Sequence, residues 1–441
     1  MLTTFRNALK VEEIRTKLIF TALMLLVIRI GSNVPIPGVN TSYFSDFFAS
    51  QTGDAFNFFN AMTGGSFESM SILALSITPY ITSSIIMQLM TIAIPKLEEL
   101  QREGEDGRRK ITEYTRYLTV ALALIESIAM TVGFGRQGLL TVYSAKSVIV
   151  AVCAMSAGSA FLMWIGEKIT DRGVGNGISM VLLFNIISSL PQDIRTLGER
   201  FLTGKSVAVK VVMIVIIAAL ILAMVVYVVI LQDAERRIPV QYSGKVGASR
   251  FGLSGKRATY IPLKVNTAGV IPVIFASSLM TFPVVIAQFF NVDYSTIGGK
   301  ILLALTSSNW FKPQAWGYSV GFIIYVVLII AFAYFYTSIT FNPLEIANNM
   351  KKSGGFIPGV RPGKPTSDYL NTMLNFIVFI GAVGLLIVAV VPIVVSGLFS
   401  VSNLSFTGTS LIIIVGVVLE TLKQIESMMV VRNYSGFLSS K

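Results

Sequence analysis

The sequence predicts an all-α polytopic membrane protein with ten transmembrane helices. Three observations carry this. Hydrophobic residues make up 53% of the 441 positions while charged residues make up only 13%, against roughly 25% charged in a soluble domain. Apolar stretches of about 20 residues, the length a bilayer crossing needs, recur along the chain. Basic residues gather in alternate connections, as in chains threaded repeatedly through a membrane.

In order, the stretches are 18–36, 72–95, 114–134, 147–168, 177–190, 207–231, 266–290, 317–341, 370–392 and 408–428. The 207–231 run is almost wholly Val, Ile, Leu and Ala. The 177–190 run is short and Pro191 is expected to end it, so it must tilt or sit behind neighbours. Lys96, Arg102, Arg108, Arg109, Lys110, Lys168, Arg172, Lys351 and Lys352 fall in one set of connections, and Arg29, Arg136, Lys146, Arg195 and Lys300 in the sparser alternate set. The positive-inside rule then places both termini in the cytoplasm, which an even number of spans satisfies. No cleavable leader is expected, because Met1–Lys17 carries mixed charge and runs directly into a span.

Five spans per half would leave the second half inverted relative to the first, with a path between them near the midplane. The expected division is an N-terminal half (1–190), an external connection (191–206), a C-terminal half (207–428) and a short tail (429–441). One apolar segment supports a path directly, because it breaks in its own middle. It stops at Gly64–Gly65 and restarts at Ile72, and the restart carries Ser76, Thr78, Pro79, Thr82, Ser83, Ser84 and Gln88. Broken backbone and polar side chains are expensive against lipid and tolerable where they line a cavity.

Several chemistries are excluded. The chain has no histidine and a single cysteine, Cys153, which removes Ser-His-Asp and Cys-His nucleophiles, intramolecular disulfides and His or Cys metal clusters. No P-loop pattern occurs, and no cofactor or metal site is expected. The remaining ionisable oddity is Glu126, inside the third apolar run. A charge there is costly and functional by default. Ser83, Ser84 and Gln88 on the second span, and Ser277, Ser278 and Thr281 on the seventh, are its candidate partners in a polar seam between helices. Pro272 and Pro283 flank the seventh-span cluster and favour hinging there.

Two long basic connections, 233–264 and 342–368, exceed what joining two spans requires. The first has β-branched and aromatic residues between glycines and reads as a protruding hairpin that docks a cytoplasmic partner. Asn176, between Gly175 and Gly177, reads as a tight-turn residue at positive φ.

Several runs together resemble one family. They are Trp164 to Ser179 (WIGEKITDRGVGNGIS), Leu75 to Leu89 (LSITPYITSSIIMQL), Arg29 to Asn40 (RIGSNVPIPGVN), Glu103 to Tyr117, Pro262 to Ser278 (PLKVNTAGVIPVIFASS), Phe341 to Gly363 and Gly408 to Val415. They resemble the SecY/Sec61-alpha family, channel subunits of protein translocases, in order along the whole chain. Ser76 departs from the family's usual glycine.

The resemblance implies two inverted five-helix halves around an hourglass pore in the plasma membrane, open to secretory polypeptides and, sideways, to transmembrane segments. It implies an apolar neck of Ile77, Ile81, Leu182, Ile271, Ile274 and Ile413. It implies a short plug helix over 56–71, with Phe58, Phe59, Asn60, Gly64, Gly65 and Ser66. Arg361 becomes a motor contact, joined by Arg250, Lys256 and Arg257. The implied partners are SecE and SecG, the SecA ATPase, the ribosome, signal peptides, nascent chains and membrane lipids. A secondary transporter would need paired midplane charges, for which Glu126 alone is thin support, and an intramembrane enzyme would need catalytic groups that are not assembled here.

Overall fold

The computed structural model describes residues 10–42, 60, 63–202, 207–242, 259–288, 296–306, 309–311, 316–399 and 408–438. Each of the ten predicted stretches coincides with a helix. These are α1 (Glu12–Gly31), α2 (Thr78–Ala93), α4 (Glu105–Phe134), α5 (Ala145–Arg172), α6 (Gly177–Leu202), α7 (Val207–Asp233), α8 (Ile271–Gln288), α10 (Val320–Thr340), α12 (Lys364–Phe399) and α13 (Gly408–Leu438). Shorter helices α3 (Pro95–Arg102), α9 (Ile297–Leu305) and α11 (Pro343–Lys352) connect them. Among the described residues, five helices are individually long and apolar enough to cross a bilayer, and α2 with α3 makes a sixth candidate bent by 106°.

Two boundaries differ from expectation. Pro191 does not end the fifth span, because α6 runs through it to Leu202. Proline removes one backbone hydrogen bond, a loss that membrane helices absorb through local adjustment and neighbours. Most of the expected 191–206 connection is therefore helix. Likewise α13 runs to Leu438, so the expected tail is largely a continuation of the last span.

Each half has its own core. In the first, Ala123, Met130 and Phe134 of α4 and Ala151 and Met155 of α5 enclose Phe67, Met70 and Leu75. In the second, Val228 of α7, Val273 of α8, Ile329 of α10, Leu385 of α12 and Ile412 of α13 pack together. A third cluster draws on both halves and is described below.

The loop between α5 and α6 shows how local chemistry sets the geometry. Gly175 takes the positive φ of 85°. Asn176 instead caps α6, its Oδ1 accepting from the Ile178 and Ser179 N–H groups at 3.1 and 3.3 Å, as a helix start requires. Gly177 packs against the Gly166 carbonyl of α5, and a Cβ there would overlap that oxygen. Gly177→Ala should therefore destabilise the fold by about 1–3 kcal/mol through overpacking. A melting midpoint in detergent equal to that of the parent chain would contradict the tight crossing.

The predicted hairpin is present. β1 (Glu235–Tyr242) pairs antiparallel with β2 (Thr259–Lys264). Unforeseen is β3 (Gly355–Phe356), from the second basic loop, which pairs on the other edge of β1. The two loops share one sheet and one small core of Ile238, Val240, Leu263, Met350, Ile357 and Leu370.

Candidate functional site: an apolar cluster joining the two halves

The cluster spanning both halves contains five of the six expected neck residues. Ile77, Leu182, Ile274 and Ile413 are buried in it, and Ile81 packs against it. Their exposures are 0, 7, 7 and 2%, so side chains pack the cluster without a gap at these positions. Ile271 is half-buried and outside the cluster; Val270 packs there instead. The Val270 carbonyl accepts from the Val273 and Ile274 N–H groups, so it lies one turn from Ile274. At about 100° per residue this places Val270 closer to Ile274's face than Ile271.

The halves are tied at the α5–α6 loop, where the Gly175 N–H donates to Gln424 Oε1 of α13 at 2.7 Å. Within the first half, the neighbouring Val174 N–H donates to Thr21 Oγ1 of α1 at 3.1 Å. Ile14, Val174 and Ile425 pack beside them. Nothing in the sequence marks Gln424, since an isolated glutamine near a helix end has many uses.

The α2/α8 side is different. Gln88 and Leu89 of α2 border a hollow with Phe275 of α8 and Phe332, Phe335 and Tyr336 of α10. The expected polar seam is not assembled. Buried Ser83 donates to the Thr115 carbonyl of α4 at 2.8 Å. Ser277 donates to its own helix, at Val273 O (2.9 Å) and Ile274 O (3.0 Å). Ser84 is half-buried, Ser278 is exposed, and Thr281 lies on the same helix. Glu126 is half-buried, three turns beyond Thr115 on α4. At 1.5 Å per residue it lies about 16 Å along the axis from the Ser83 contact. Because α2 and α4 run antiparallel, Gln88 is displaced the other way. Glu126 therefore does not join Ser83, Ser84 and Gln88 in one seam, a register that only the packed pair reveals.

The broken segment lies against α1 and α6, bonded to Arg29 and Asn185. Phe58 and Phe59 lie outside the described residues. Of the expected 56–71 plug helix, Asn60 and Thr63 are helical and residues 64–70 are turns, followed by a bridge at Ser71 and further turns to Ile77; Gly64, Gly65, Met70 and Ser76 take positive φ of 66, 84, 43 and 53°. Left-handed conformations interrupt a right-handed helix. Asn60 braces the turn: its Nδ2 donates to Glu68 Oε2 and its Oδ1 accepts from the Glu68 N–H. Ser66 is buried and its carbonyl accepts from the Ser71 N–H at 3.0 Å. Ser76 occupies a glycine-favouring conformation, and its hydroxyl accepts from Asn185 Nδ2 at 3.1 Å. A local backbone cost is thus offset by a buried hydrogen bond to α6.

On the loop-bearing face Arg361 is exposed between Gly359 (φ 84°) and Gly363 (φ 105°), with its carbonyl held by Thr366 Oγ1 at 2.8 Å. Arg250, Lys256 and Arg257 lie outside the described residues. Within the sheet, Arg237 of β1 is engaged: it pairs with Glu235 at 2.7 Å and lies 4.9 Å over the Tyr260 ring of β2. The Glu235 hydrogen bond holds its guanidinium pKa above the ordinary value.

Comparison with known proteins agrees with this architecture. The SecY family model matches residues 71–422. The chain is similar to protein translocase subunit SecY of Bacillus subtilis (strain 168), 41% identical over 450 residues that cover 100% of each chain. A solved SecY channel, studied for how its plug domain stabilises the closed state, superposes with a TM-score of 0.62 at 16% identity, over 94% of this chain and 92% of that one. Sec61 in the canine ribosome–channel complex superposes at 0.60 with 18% identity, over 94 and 92%. An apolar cluster joining two five-helix halves, in a multi-pass membrane chain that matches this family from end to end, leads to one conclusion: the chain belongs to the SecY family.

Proposed function

We propose that this chain is the channel-forming subunit of a protein translocase. It passes unfolded secretory polypeptides across the plasma membrane and releases transmembrane segments sideways into lipid. The observation that supports this best is the contact between the halves, hydrogen-bonded where Gly175 meets Gln424 of α13 and only aliphatic at the neck. A closed ring of Ile77, Ile81, Leu182, Val270, Ile274 and Ile413 excludes hydrated ions, because an apolar constriction dewets. The same side chains yield to a polypeptide, since nothing polar has to break.

In this reading residues 56–71 form the plug on the external side, and the α2/α8 side is the lateral exit. Ser83 and Ser277 bond within their own halves, so parting α2 from α8 exposes apolar surface without stranding those hydroxyls. Both termini and the shared sheet face the cytoplasm. There Arg361 meets the SecA motor, and the hairpin carrying Arg250, Lys256 and Arg257 meets SecA or the ribosome. SecE and SecG complete the complex. The chain itself performs no catalysis, and energy comes from its partners. Solved relatives bound to ribosomes support that partner.

Arg361→Ala should lower motor-driven export at least tenfold in proteoliposomes with purified motor, while the resting ion seal stays intact. Equal export by the variant would remove Arg361 from the motor contact. The reading as a whole is tested by reconstitution: a complex that never moves a secretory precursor into vesicles, with motor and ATP supplied, refutes it.

A further inference from the structure

We propose that Arg29 is the latch that holds the broken segment shut, with Ser188 and Asn185 of α6 as its polar dock. This rests on the reading of that segment as the plug. Arg29 lies in the last turn of α1, in the sparse set of basic residues opposite the loop-bearing face. Its Nη1 donates to the Gly64 carbonyl at 3.1 Å and to Ser188 Oγ at 3.4 Å. Ser188 in turn donates to the Asn185 carbonyl at 2.8 Å, with the Gly64 carbonyl a second acceptor at 3.5 Å. Asn185 Nδ2 reaches the other end of the segment at Ser76 Oγ, 3.1 Å away. Asn185 and Ser188 are three apart and so share one face of α6. One helix face therefore grips both ends of the broken segment, and Arg29 clamps the near end from α1.

The close approach requires glycine. A Cβ on Gly64 would lie 2.8 Å from Ser188 Oγ and 3.1 Å from Asn185 Cα, so only a bare backbone presents its carbonyl here. The base of the segment is tied separately, by Ile36 N–H to Met70 O (3.1 Å) and Ile72 N–H to Val34 O (2.9 Å). Those bonds can persist while the tip at Gly64 swings away.

The charge makes Arg29 a latch rather than packing. Among the described residues it forms no ion pair, and Gly64 O and Ser188 Oγ are its hydrogen-bond acceptors. A guanidinium beside hydrocarbon is costly unless hydrogen-bonded. Displacing the segment removes one of the two acceptors, which biases the resting equilibrium toward the closed form. Arg29 thus acts through Gly64 as a positioning residue that sets how readily the channel opens.

The test measures resting ion conductance of the complete reconstituted complex in planar bilayers. The parent, Arg29→Gln, Arg29→Lys and Ser188→Ala are compared, each also with residues 58–68 deleted. Arg29→Gln should raise resting conductance on the order of tenfold, the scale of one lost charge-assisted hydrogen bond. Arg29→Lys should restore most of the seal, Ser188→Ala should leak less than Arg29→Gln, and Arg29→Gln should add nothing once 58–68 is gone. Equal amounts of each variant in the membrane exclude simple misfolding. Parent-like conductance of Arg29→Gln overturns the latch, as does an increase that survives the deletion. If the deletion alone leaves conductance unchanged, the plug reading fails and the latch fails with it.

Discussion

Ile413→Asn is expected to leave the channel conducting ions at rest and accepting precursors with defective signal sequences. Ile413 is 2% exposed, in the cluster that joins the halves. Truncating a buried aliphatic side chain costs about 2–5 kcal/mol, and an amide without a partner adds about 1–3 kcal/mol. Both penalties fall on the closed neck, because an open, hydrated neck solvates the amide. If about 3 kcal/mol of this is differential, the open population rises on the order of a hundredfold. Conductance in planar bilayers and export of a signal-defective precursor read the two consequences. A tighter, more selective channel in this variant would contradict the neck assignment.

The second large effect concerns the sideways exit. Leu89 and Phe275 border the same hollow between α2 and α8. Leu89→Cys and Phe275→Cys, introduced together with Cys153→Ala so that no other thiol competes, should form a disulfide under mild oxidation. The linked channel should lose both insertion of transmembrane segments and secretion, to below about a tenth of the reduced activity, and reducing agent should restore both. The expected size follows from geometry: a disulfide holds Cα atoms within about 7 Å, less than the width of the helix that has to pass. Normal transport with the link verified intact would show that nothing leaves or enters between these helices.

Much of the frame is legible in the sequence, and the reasons are local. A run such as Val207–Asp233 has no alternative to a buried or lipid-facing helix, so its sequence specifies it without help from the rest of the chain. Ile77 and Ile413 are ordinary core residues by chemistry, and only the resemblance to the family's motifs singles them out before the shared cluster is seen. Relations between elements were not readable. The seam built on Glu126 failed because a sequence carries no axial offset between α2 and α4. Ser83 and Ser277 found nearer acceptors on a backbone that the sequence does not display. Pro191 misled because a proline's cost depends on its surroundings. β3 is two residues long and has no alternation to detect. Arg29 was visible as an outlying charge, but its partner is a main-chain carbonyl, which no residue type announces.

The three-stranded sheet has a mechanical consequence. β1 begins two residues after α7 ends, and β2 stops seven residues before α8 begins, with Val265 N–H bonded to Ala234 O at 2.9 Å at the junction. β3 ties the stretch before α12 to the same strand. The sheet is therefore a yoke across three helix ends. A load applied to β1 and β2 cannot tug α8 alone, and reaches α7 and α12 as a shared torque on the second half.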